Sequence, residues 1–145
     1  MATTTTAEIL EAIADRIEAL APDGSATEDD SFHPVVGLEP GTRGHRAVAV
    51  GGQPGRRKLT GGRTCSDWET VVTVETRYPD ATAELGERST YARAVEDAED
   101  VLADLYDWAV ADAAILKFTP DLAIVTEDGD GNLVVSRTIA IEFQR

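Results

Sequence analysis

The sequence predicts an α+β fold: a mostly antiparallel sheet packed by an N-terminal helix and one long amphipathic helix, closed by a C-terminal β-hairpin. Three observations carry that expectation. Residues 89–111 repeat their apolar side chains at helical spacing, and residues 67–78 alternate as a strand. The run Asp128, Gly129, Asp130, Gly131, Asn132 joins two apolar segments as a hairpin turn would. With 145 residues and 42% hydrophobic content, the chain reads as a single domain, 1–145, with enough core to fold without staples.

In residues 6–20, Ile9, Leu10, Ile13, Ile17 and Leu20 recur near the 3.6-residue period and define one apolar stripe, so a helix is expected there. Thr5 followed by Glu8 has the form of a capping box, and Pro22 with Gly24 stops the helix. An acidic linker over 23–30 leads to a short extended segment, 31–36, which Pro34 assigns to an edge or bulge. Residues 45–50 alternate weakly and break at Gly51 and Gly52. The strand at 67–78 is firmer, with Trp68, Val72, Val74 and Tyr78 on a dry face and Asp67, Glu69, Glu75 and Arg77 on a wet one.

The second helix has the clearest pattern. Tyr91, Val95, Ala98, Val101, Leu102, Leu105, Tyr106, Trp108 and Ala109 fall within roughly 160° of a helical wheel. Glu96, Asp97, Glu99, Asp100, Asp104 and Asp107 occupy most of the rest, which reads as a solvated or electrostatically facing surface. After Pro120, segments 122–126 and 133–143 are β-rich, and the Asp-Gly turn between them makes a hairpin. Glycine accepts the positive φ that such turns require. Ile139, Ile141 and Phe143 share one face of its last strand.

Charge is segregated along the chain. Between Glu39 and Asp67 there is no Asp or Glu, yet the stretch holds Arg43, Arg46, Arg56, Arg57, Lys58 and Arg63 among seven glycines. The local charge of +6 in a molecule of −14 leaves −20 for the remaining residues. A one-sign block serves encounter and partner choice, and glycines disfavour a regular element. Residues 39–66 are therefore expected to form a projecting basic loop or hairpin arm that another surface orders, with those six cations at a protein interface.

Sites of chemistry find little support. A phosphate-binding loop requires Gly-Lys-Ser/Thr, but Lys58 is followed by Leu59. Asp128, Asp130 and Asn132 have the spacing of a calcium loop, but its sixth and twelfth positions are Leu133 and Ile139. His33 and His45 lie in no metal-ligating pattern, and Cys65 is a lone cysteine at the start of a strand. The expectation is a non-enzymatic protein with no catalytic residue, metal or cofactor. No apolar run approaches the ~18–20 residues of a membrane span. The N-terminus lacks the basic and apolar segments of a secretory signal, so synthesis in the cytoplasm is expected.

With these elements in place, the chain resembles the tail terminator (tail completion) proteins of long-tailed bacteriophages and related neck proteins. The resemblance lies in the N-terminal helix at 7–20, the strand WETVVTVETRYP at 68–79, the long helix at 91–109 and a closing hairpin ending in RTIAIEF at 137–143. It is one of element order and length and covers most of the chain. It implies a structural virion protein of the tail or neck, made in the host cytoplasm. Such a protein forms a homo-oligomeric ring, usually a hexamer, that ends polymerisation of the tail tube and joins the tail to the head.

Partners implied by the resemblance are further copies of the chain, the tail tube protein, and a head-completion or connector protein. DNA would pass through the lumen without sequence-specific binding, eased by a predominantly negative surface. Ile139, Ile141 and Phe143 are expected at an inter-subunit edge, because edge strands seek partners. The nearest rivals are another head–tail connector or minor tail protein, and a small nucleic-acid-binding module acting through the basic loop.

Overall fold

The first helix, α1 (Thr6–Ala19), begins where the sequence places its cap. Thr5 Oγ1 accepts a hydrogen bond from the Glu8 amide at 3.2 Å and donates to Glu8 Oε1 at 3.2 Å. The computed structural model describes residues 4–20, 31–37, 39–40, 46–58, 67–79, 84–85 and 88–145. The elements that follow are β1 (Phe32–Val36), β2 (Arg46–Gly52), β3 (Arg56–Arg57), β4 (Asp67–Tyr78), β5 (Glu84–Leu85), β6 (Arg88–Ser89), α2 (Thr90–Ala111), β7 (Ile115–Pro120), β8 (Ile124–Glu127) and β9 (Leu133–Gln144). The expected segments at 41–45 and 59–66, with Arg43, Arg63, His45 and Cys65, lie outside the described residues, as does the linker at 23–30.

The fold is α+β, as expected. Its main sheet runs β1-β2-β4-β9-β7, with β3 also paired to β4 and β8 also paired to β9. Among the described strands β1 and β2 pair in parallel and the other pairs are antiparallel. Because β9 lies along the whole of one side of β4, β2 and β3 share its other side. By the same logic β7 and β8 follow one another along the far side of β9.

Both helices cover one face of this sheet. Ile9, Ile13 and Ile17 of α1 and Val101 and Leu105 of α2 share one core with Val48, Val50, Val72, Val74, Ile139, Ile141 and Phe143. Arg16 clamps the helices together, its Nη2 and Nε donating to the two Asp104 carboxylate oxygens at 2.8 and 3.0 Å. Among the described residues no helix covers the opposite face of the sheet, which carries Val71, Thr73, Thr138 and Ala140 beside paired charges. The period-2 reading of β4 is borne out, with Val72, Val74 and Tyr78 buried.

A second, polar centre fixes helix to sheet. Arg46, wholly buried at the start of β2, sets its Nε 2.9 Å from Asp97 Oδ2 of α2, and its guanidinium lies 5.8 Å from the Phe32 ring centroid. Tyr78 donates its hydroxyl to the same Asp97 oxygen at 2.7 Å. Burial pushes the Tyr78 phenol far up, so it remains a donor. Burial also pushes the Asp97 carboxyl above its ordinary value, opposed by the Tyr78 hydrogen bond and the Arg46 charge.

Two expectations are corrected here. Arg46 is not part of an exposed arm, because its guanidinium neutralises a buried carboxylate. Asp97 is not on the solvated face of its helix, because it is that carboxylate.

The glycines of the basic block also have a packing role. A Cβ on Gly55 would stand 2.5 Å from Thr6 Oγ1 and 3.3 Å from Phe143 Cζ, so the β2–β3 connection passes directly under the start of α1. In the closing hairpin the positive φ falls on Gly131, at 80°, rather than on Gly129. Asp128 organises that turn: its Oδ1 accepts from the amides of Asp130 and Asn132, both at 2.9 Å, and its Oδ2 from Asn132 Nδ2 at 3.1 Å.

Truncating Arg46 to Met should cost about 3–5 kcal/mol, because it strands a buried carboxylate. Combining it with Asp97→Leu should cost less than the sum of the single changes in urea unfolding. Strict additivity would mean that the two side chains act independently. The Asn132 and Asp130 hydrogen bonds hold the Asp128 carboxyl below its ordinary range. Its contribution to the turn should therefore be complete above pH ~4 and be lost as pH falls through the depressed folded value. Amide shifts of Asp130 and Asn132 in an NMR titration should report that loss, and Asp128→Ala should abolish the titration.

Candidate assembly surface

The residues expected at an interface separate into three groups. Ile139, Ile141 and Phe143 are wholly buried, facing α1 and α2 from a strand hydrogen-bonded on both sides. They are core residues, and β9 is an interior strand rather than an inter-subunit edge. The sequence pattern identified their shared face, but not that β7 would cover their outer side.

The four described cations form the second and third groups. Arg46 belongs to the interior, whereas Arg56, Arg57 and Lys58 lie on and just beyond β3. Residues 46–58 are thus laid onto the sheet along β4, not projected from it. Arg56 remains 80% exposed while its Nε contacts Glu69 Oε1 at 2.6 Å. Lys58 Nζ donates to Glu142 Oε1 at 2.9 Å, and that contact raises the ammonium above its ordinary value. These pairs answer two of the strip's charges with acids from β4 and β9, which weakens it as a phosphate cradle. An open groove of about 570 Å³ runs beside them over the helix-free face, lined by Gln53, Arg56, Val71, Lys117, Thr119 and Glu142.

The opposite side of the sheet carries a surface that sequence reasoning missed. The β7–β8 edge exposes Leu116, with Leu122 at 89% and Ile124 at 65% exposure. Directly above it, the Tyr106 ring of α2 meets Phe118 of β7 edge to face, with centroids 6.3 Å apart. Val110, one helical turn further on, is 70% exposed. The available signal was the width of the apolar arc of α2, which exceeds what the sheet covers. Its inner row, Val101, Leu105 and Ala109, is buried, while Tyr106 and Val110 flank it in the open. Ile124, paired with Ser136, faces the helix-free side, so the exposed apolar residues here lie on both faces of one edge and mark a candidate contact site.

Among the described residues no group of three His, Cys, Asp or Glu is placed to hold a metal ion. No helix there is long and apolar enough to cross a membrane. Compared with protein-family models and with the curated proteins, the chain matches none.

Proposed function

We propose that this chain is a non-enzymatic virion assembly protein. In this reading it forms a homo-oligomeric ring at the head-proximal end of a phage tail tube, ends polymerisation of the tube, and joins the tail to the head connector. The observation that carries the reading is the order of the elements. An N-terminal helix, a mostly antiparallel sheet built on a 12-residue strand, a 22-residue helix and a closing hairpin follow one another in the order on which the tail-terminator resemblance rests. The apolar β7–β8 edge supports it, because an assembly protein needs surface committed to other chains.

The rival reading as a nucleic-acid-binding module loses ground. Arg46 is withdrawn into the core, and Arg56 and Lys58 already face carboxylates. An excess of negative charge suits a wall past which DNA slides, since phosphate contact is driven by Lys and Arg.

Adding the purified protein to polymerising tail tube subunits should shorten the tubes. Negative-stain microscopy should find an annulus on one end of each. Tubes that grow unchanged with bare ends would reject the terminator role. Steeply salt-dependent duplex DNA binding, abolished by neutralising Arg56, Arg57 and Lys58, would favour the nucleic-acid module instead.

A further inference from the structure

The sheet has two outer sides, and they differ in a way that fits them to each other. One is the β7–β8 edge, where exposed Leu116, Leu122 and Ile124 sit among Asp121, Glu127 and Asp130, with Lys117 the one cation of β7. The other is formed by β1 and, where β2 no longer covers β4's flank, by β3. It exposes Val35, Val36, Arg56 and Arg57. Apolar side chains are present on both; the first side is anionic apart from Lys117, and on the second Arg57 stands beside Arg56, whose charge Glu69 answers in part.

We infer that a second copy of this chain docks head to tail, its β1–β3 side against the β7–β8 edge of the first. The inference rests on the ring reading above and names the surfaces that meet. A contact between two different patches repeats from copy to copy and closes into a ring when the rotation permits, whereas a contact of one patch with itself stops at a pair. Complementary charge sets the register and speeds encounter, and the apolar residues supply area to withdraw from water.

Side chains rather than a continued backbone ladder make this contact. Pro34 lies in β1 and Pro120 in β7, and the β7–β9 register shifts between Ile115 and Lys117. Prolines and bulges of this kind interrupt an edge as a template for another strand.

The test uses the full chain with Cys65→Ser as background and a bis-maleimide crosslinker with a flexible spacer. The variant carrying both Arg57→Cys and Leu122→Cys should give a ladder of dimers, trimers and higher species, while each single-cysteine variant stays monomeric. Adding Arg56→Glu should reduce the ladder at least tenfold, and Glu127→Arg with Asp130→Arg should restore it. Dimers from a single-cysteine variant as abundant as those from the double variant, or no ladder from the double variant, would overturn the inference. Closed rings of the unmodified protein by microscopy without a ladder would leave the ring reading standing and reject these surfaces. A ladder with open filaments and no ring on tube ends would keep the surfaces and reject the ring reading.

Discussion

Arg46 and Asp97 are held away from water, and each makes the burial of the other tolerable. An isolated charge in that position would be far more costly than anything the surrounding packing returns. The pair therefore restricts how the chain assembles. In β2, a shift of one residue would turn Arg46 to the helix-free face and abandon the carboxylate. In α2, any rotation that releases Asp97 also lifts Val101 and Leu105 from the core, since they follow it at four-residue spacing on the same face. Tyr78, on β4, adds a third element to the constraint by donating to the same oxygen. With rotation fixed, Tyr106 and Val110 are left looking outward beside β7.

The elements that the sequence disclosed have strong periods and short-range caps. The 67–78 strand alternates over its whole length, α1 has a reciprocal cap at Thr5 and Glu8, and the hairpin turn is marked by Asp128 and its glycines. The strand β7 left no such trace. The shift between Ile115 and Lys117 leaves Leu116 and Lys117 adjacent and both exposed, which breaks the two-residue period. In β2 the weakness of the alternation has the opposite cause, because Ala47, Val48, Ala49 and Val50 are all buried.

The candidate surface was harder to read, because charge counts carry no register. Six cations in one acid-free stretch looked like one feature. Within it, Arg46 serves the core, Arg56 and Lys58 face acids contributed by β4 and β9, and Arg43 and Arg63 fall outside the described residues. The acids that answer Arg56 and Lys58 are Glu69, 13 residues away, and Glu142, 84 residues away. Only the topology of the sheet brings them near. Glycine was misleading for a related reason: Gly55 reads as freedom in one dimension, yet it is where α1 comes closest to the chain beneath it.

In the proposed ring, the prolines of the two outermost strands would bear on how errors are corrected during assembly. Each leaves its strand one N–H short for a neighbouring chain to capture, so a copy that arrived in the wrong register would meet no ladder on which to lock. Such an attachment would be held by a few side chains and fall apart quickly, leaving the site open for the next arrival. Fidelity would then come from repeated trial.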